Sequence, residues 1–162
     1  MFEPVQIRLD LSHPQTQTIS VSIQWTPQTH RQTFQLPVWT PGSYTVRDHA
    51  QHLHSLQLHA NGEELPVRRT APHQWLCDLP DLSPLTLNYQ LEARDLTVRT
   101  GLLDPDFASL CLAAVAMEID GCRWSTHRVV VTAPQHWSVH LPLEASAEGW
   151  VCLLYTSPSP RD

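Results

Sequence analysis

TISVSIQW, Thr18 to Trp25, decides how the chain is read. Ile19, Val21, Ile23 and Trp25 take every second position with polar residues between them, the period of a strand that buries one face. The same period recurs before it at Val5, Ile7, Leu9 and Leu11, and after it at Phe34, Leu36 and Val38, so three strands open the chain. Leu56 and Leu58 precede Asn61-Gly62, and Leu65 and Val67 follow it. An Asn-Gly pair between apolar runs supplies the two positive φ angles of a tight hairpin turn, and Pro66 puts the second arm at a sheet edge. Further strands are expected at Gln74 to Asp78, along LTLNYQLEA with Leu85, Leu87, Tyr89 and Leu91 on one face, at Val129 to Val131, and at Trp137 to Leu141. SLCLAAVAMEI is a buried strand or a short helix, which periodicity alone does not separate. Eight or so short strands, proline-rich connections and no long helical pattern predict an all-β domain, an antiparallel β-sandwich.

Composition narrows the functions. A chain of 162 residues is one domain's worth and buries roughly 68–70% of its unfolded surface. The ten cationic side chains are all arginine, and the net charge of -6 offers no basic stripe for a phosphate backbone, so nucleic acid is not an expected partner. The longest apolar run, Leu110 to Met117, is too short to cross a bilayer. The start, MFEPVQIRLD, lacks the basic and apolar regions of a secretory signal, and the expected location is cytoplasmic with no membrane partner. Cys77, Cys111, Cys122 and Cys152 stand far apart with no C-x-x-C spacing. Ordinary reduced thiols are expected rather than a zinc ribbon or a redox pair.

The end of the chain changes character. CLLYTSPSPRD has no period and two Ser-Pro steps, and one back-translation of it resembles a transposase adapter from sequencing libraries. Residues 1–151 are therefore read as the domain, an N-terminal piece of a longer protein, and 152–162 as a disordered artefact.

The densest local chemistry is LPVWTPGSYTVRDHA, Leu36 to Ala50. Pro41 pre-sets the second position of a type II turn over Thr40 to Ser43, and Gly42 supplies the positive φ of the third. Trp39 and Tyr44 flank that corner, and Arg47 beside Asp48 offers a planar fork for carboxylates or carbonyls. With the lone Trp75 and NYQLEARDLTVRTGLLD (Asn88 to Asp104), this stretch resembles the N-terminal domain of the glycyl aminopeptidase family of zinc metallopeptidases, from Leu36 to about Met117.

The resemblance implies a β-rich N-terminal domain ahead of a thermolysin-like catalytic domain and a C-terminal PDZ domain. In such a protein the catalytic domain holds zinc through H-E-x-x-H and a downstream Glu. No H-E-x-x-H occurs here, nor any His followed by Glu, so no catalytic or metal residue carries over. The expectation is a non-catalytic piece with no cofactor of its own. Zinc belongs to the parent protein, and the partners are the catalytic domain of the same chain and, in the complete protein, a peptide substrate.

Tyr44, Arg47, Asp48, Arg99 and Asp104 are the candidate cleft or interdomain contacts. The competing and preferred reading is that they brace strands and turns inside the sandwich. His49, His52, His54 and His59 invite a metal site, with His52 and His54 on one strand face, but no Cys or carboxylate stands at a matching spacing and they are read as surface residues. No G-x-S-x-G nucleophile motif is present.

The alternative to a peptidase domain is a free-standing sandwich module for carbohydrate or peptide, although core packing accounts for most of the six tryptophans. A domain cut from a larger protein is expected to expose an apolar interdomain face of several hundred Å².

Overall fold

The computed structural model describes residues 4–36, 52–93, 101–103, 105–110, 115–122, 125–140, 144–146 and 149–153. Strands dominate them: β1 (Val5–Asp10), β2 (Thr18–Trp25), β3 (Arg31–Gln35), β4 (Leu53–Ala60), β5 (Glu63–Leu65), β6 (Arg68–Ala71), β7 (Gln74–Asp78), β8 (Leu85–Glu92), β9 (Gly101–Leu103), β10 (Ala108–Leu110), β11 (Glu118–Ile119), β12 (Thr126–Thr132), β13 (Glu144–Ser146) and β14 (Gly149–Leu153). A 3-10 turn, Pro14–Thr16, lies between β1 and β2.

Eight strands form one sheet in the order β13-β14-β12-β1-β2-β8-β4-β5, and four form a second in the order β11-β3-β7-β6. The hairpin β9–β10 stands as a two-stranded ribbon. Pairing is antiparallel except between β1 and β12, which run parallel with Ile7 opposite Val129 and Leu9 opposite Val131. The expected all-β sandwich is what the chain builds.

The alternation in TISVSIQW sets the register. Ile19, Val21, Ile23 and Trp25 lie opposite Leu91, Tyr89, Leu87 and Leu85 of β8, and Ile23 and Val21 face Ile7 and Leu9 of β1. All ten are buried and belong to one core cluster with Phe34, Leu36, Trp75 and Ile119 of the smaller sheet and its flanks. A one-residue slip would turn the whole set to water, so the register is fixed by burial.

The two sheets meet through a mixed contact. Trp25 and Phe34 pack edge to face at 6.2 Å, and Phe34 stacks on Trp75 at 6.5 Å. The Trp25 indole N–H donates to Gln32 Oε1 at 3.1 Å, while Gln32 Nε2 donates to the carbonyls of Thr33 and Asp120, both at 2.9 Å. Gln32 is buried, and these three bonds satisfy an amide that would otherwise oppose folding.

Turn chemistry behaves as its residues dictate. Asn61 (φ 53°) and Gly62 (φ 79°) both take the left-handed conformation between Ala60 and its partner Glu63, a two-residue primed turn. A bulge in β4 sets Ser55 and Leu56 against the single residue between Asn88 and Gln90, with Ser55 at φ 59°. It changes the phase of the strand, so Leu53, Leu56 and Leu58 all reach the core while His54 stays exposed.

Two expectations need correcting. Trp137 to His140 is not a strand: the Trp137 N–H donates to the Pro134 carbonyl at 2.9 Å, closing a turn that lays the indole against the core, and Leu141 lies outside the described residues. SLCLAAVAMEI is neither one strand nor one helix; Ala108–Leu110 and Glu118–Ile119 are separate short strands, with 111–114 outside the described residues. β14 continues through Cys152 and Leu153, opposite His127 and Thr126, past the expected boundary after Val151. Residues 154–162 lie outside the described residues.

Candidate functional site

Tyr44, Arg47, Asp48, Arg99 and Asp104 all lie outside the described residues, as does His49. What the structure places is the chain on either side of them. Leu36, the last described residue before 37–51, is fully buried beyond β3, its N–H donating to the His73 carbonyl at 2.9 Å. His52 resumes the chain just ahead of Leu53, which sits opposite Leu91 near the end of β8. Ala93 and Leu103 bracket the second and third segments: the Leu103 N–H donates to the Ala93 carbonyl, and the Ala93 N–H donates to the Gln17 carbonyl, both at 2.8 Å.

These flanks share one end of the sandwich. In the small sheet Gln35 pairs with both Gln74 and Glu118, which joins the C-terminal end of β3, the N-terminal end of β7 and β11. In the large sheet Leu91 pairs with both Ile19 and Leu53, which joins the C-terminal end of β8 and the N-terminal ends of β2 and β4. The Tyr89 hydroxyl links β8 to Val115 and Met117 just ahead of β11. The described residues that flank the candidate positions thus come from strand ends far apart in the chain.

Tyr89 organises this end from below. Its ring lies in the buried row of β8, 1% exposed, and its hydroxyl donates to the Val115 carbonyl at 2.5 Å while accepting the Met117 N–H at 3.2 Å. Burial drives its pKa far above the ordinary phenol value, against a smaller opposing effect of the Met117 N–H. The hydroxyl keeps its proton and serves as a fastener between β8 and the segment that leads into β11.

His127, in β12, is 2% exposed, and its Nδ1 lies 2.8 Å from the Ser125 carbonyl. A carbonyl only accepts, so Nδ1 carries the hydrogen. Burial lowers the pKa of the ring, and the Ser125 hydrogen bond and the negative Glu118 oppose that only in part. The buried ring is neutral near pH 7.

The Cys77 and Cys122 thiols are buried and free, and burial pushes both pKa values up, aided by Asp78 and Asp120 respectively. Neither has the depressed pKa of a nucleophile. His52 precedes β4, and His54 and His59 lie on it, separated by the bulge. Among the described residues no group of three His, Cys, Asp or Glu side chains is placed to hold a metal ion.

Reading the sequence missed Gln32 and Tyr89 as the polar anchors. Both carry a signal in hindsight: Gln32 occupies an inward position in the row of Phe34 and Leu36, and Tyr89 is the one hydroxyl among the leucines of β8. The expected broad apolar interdomain face is not found among the described residues, where the exposed large apolar side chains are Leu82 at 41% and Phe107 at 47%, the latter preceding β10. Interfaces between domains of one chain are often more polar than obligate ones, which removes the need for such a face.

Two packed sheets of mainly antiparallel strands, fastened by Gln32 and Tyr89, define an all-β sandwich-like domain. Residues 6–157 match the family model of the peptidase M61 N-terminal domain, and the chain belongs to that family. This is the family to which the motifs around Leu36 to Asp104 pointed. Its fold is similar to that of an aminopeptidase N family protein from Idiomarina loihiensis, with a TM-score of 0.83 at 24% identity. The match covers 94% of this chain and 27% of that one, so this chain spans about a quarter of the length of the protein it resembles. No curated protein matches the sequence.

Proposed function

We propose that this chain is the non-catalytic N-terminal β-domain of a zinc-dependent aminopeptidase, packing against a catalytic domain that follows it and bounding the cleft where short peptides lose their N-terminal residue. The observation that carries this reading is the family match across 6–157, the whole two-sheet domain. The sequence contains no H-E-x-x-H, and on this reading the metal and the water it activates belong to the catalytic domain, and a PDZ domain completes the parent protein. On this reading Tyr44, Arg47, Asp48, Arg99 and Asp104 face the catalytic domain from the end of the sandwich where their flanking residues converge.

Sequencing the source DNA across the codons for Trp150 to Asp162 tests the reading. The expected result is a frame that continues past Val151 into H-E-x-x-H and a downstream Glu. The full-length product should then release N-terminal residues from short peptides, lose that activity to a chelator, and leave the 162-residue chain inactive by itself. A stop codon directly after Asp162 in the native transcript overturns it.

A further inference from the structure

The outer face of the eight-stranded sheet breaks a rule that strands usually keep. Outward positions in mid-sheet favour β-branched and aromatic residues joined in cross-strand pairs, yet the two central outward positions of β2 are Ser20 and Ser22. Register places Ser22 between Arg8 of β1 and Asn88 of β8, and Ser20 between Asp10 and Gln90. Two short side chains between longer neighbours leave a trough of about 470 Å³ along β2, reaching Thr132 of β12 on one side and Gln57 of β4 on the other. Ser20, Ser22, Asn88 and Gln90 are half-buried although they face away from the core, and among the described residues none of their side chains has a hydrogen-bond partner. Arg8 is exposed and has no ion-pair partner among those residues. Asp10 accepts from the Ser12 N–H and hydroxyl at 2.9 and 2.6 Å, which orients its carboxylate. Six polar side chains thus line one trough without pairing to one another, and departures of this kind concentrate at functional sites.

We propose that this trough binds a neutral saccharide of one or two rings. The amides of Asn88 and Gln90 and the hydroxyls of Ser20 and Ser22 each offer both a donor and an acceptor, and a sugar hydroxyl likewise gives one hydrogen bond and takes others. On the opposite wall Arg8 only donates and Asp10 only accepts, a combination that suits two neighbouring hydroxyls. A carboxylated or amino sugar would meet one attractive and one like charge there, which removes its advantage over a neutral one. A peptide is served less well: a sheet face presents no unpaired main chain for an added strand, and the outward side chains of the trough are polar, with no pocket for an apolar residue. The volume lies within the range of small-ligand sites. With no outward aromatic ring to stack on, the dissociation constant is on the order of millimolar. The trough lies on the face turned away from the four-stranded sheet, and its chemistry is independent of the peptidase reading.

Titration of the isotope-labelled 162-residue chain with maltose, cellobiose and N-acetylglucosamine, followed through its backbone amide resonances, decides it. At least one of these sugars should shift Ser20, Ser22, Asn88 and Gln90 saturably, at a dissociation constant on the order of millimolar. His59, outward on β4 but outside the trough, should stay in place. Sodium glucuronate and glucosamine should bind no more tightly than the neutral sugars. Asn88→Ala and Gln90→Ala should each weaken binding about tenfold. Ser22→Ile fills the trough with a good strand former and should abolish binding while circular dichroism stays unchanged; the two alanine variants carry the test should it fail to fold. No saturable shift at these four residues up to roughly a hundred millimolar sugar, tighter binding of a charged sugar or of triglycine at the same residues, or binding that survives both Asn88→Ala and Ser22→Ile overturns the proposal.

Discussion

The two sheets are held by different means. In the large sheet the inward rows of β1, β2 and β8 are aliphatic apart from Trp25 and Tyr89, and long strands keep register because every second residue is buried. The small sheet has strands of two to five residues, too short for alternation to fix them alone. It is held instead by single contacts: the Phe34 stack on Trp75 and the three hydrogen bonds of Gln32. The difference teaches that the large sheet should spread the cost of a substitution, whereas the small sheet should concentrate it.

That contrast breaks most visibly at Phe34. Phe34→Ala empties a fully buried site between Trp25 and Trp75 and should cost about 3–5 kcal/mol, read as a shift in the urea midpoint; a loss below about 1 kcal/mol would mean that the small sheet repacks freely. Gln32→Leu keeps the volume but leaves the Trp25 indole N–H and the Asp120 carbonyl without their amide partner, for about 1–3 kcal/mol. Hydrogen exchange should show opening confined to β3 and β11. Ile23→Val, at an equally buried site in the large sheet, should cost only about 0.5–1.5 kcal/mol.

His127 is the polar exception on the inner face of the large sheet. Its native pKa lies below the ordinary value of about 6.5, so below that pH the unfolded chain binds a proton that the native one refuses. Stability should be flat above pH 7 and fall as pH drops from about 6.5 toward the native pKa. His127→Gln should flatten that slope in denaturation curves collected across the range. Smallest of all is the exposed Arg31–Asp78 pair at 3.0 Å on the small sheet; Asp78→Ala should change stability by under about 1 kcal/mol, and less in high salt.

The same contrast explains what the sequence discloses. β1, β2, β4, β7 and β8 were legible because five to eight residues carry a period, and the Asn61-Gly62 turn because its chemistry allows little else. β6, β9, β10, β11 and β13 escaped because two to four residues carry none. Trp137 to Leu141 misled because apolar residues two apart also suit a turn that drops a tryptophan onto the core. The motif around Trp39 to Asp48 identified the family, yet its geometry depends on which strand ends meet. That follows from pairings between residues far apart, such as Leu53 with Leu91, which no local pattern encodes.

The parallel pairing of β1 with β12 has a consequence during synthesis. About 120 residues separate the two strands, so β1, made first, has an open flank until Thr126–Thr132 leaves the ribosome. At roughly 5–20 residues per second that wait is on the order of ten seconds. A nascent chain can zip β1, β2 and β8 into a partial sheet well before then, with the flank of Val5–Asp10 available to any passing strand. The step that closes it joins the first strand of the domain to one made about 120 residues later, so β12 must emerge before β1 is paired on both sides.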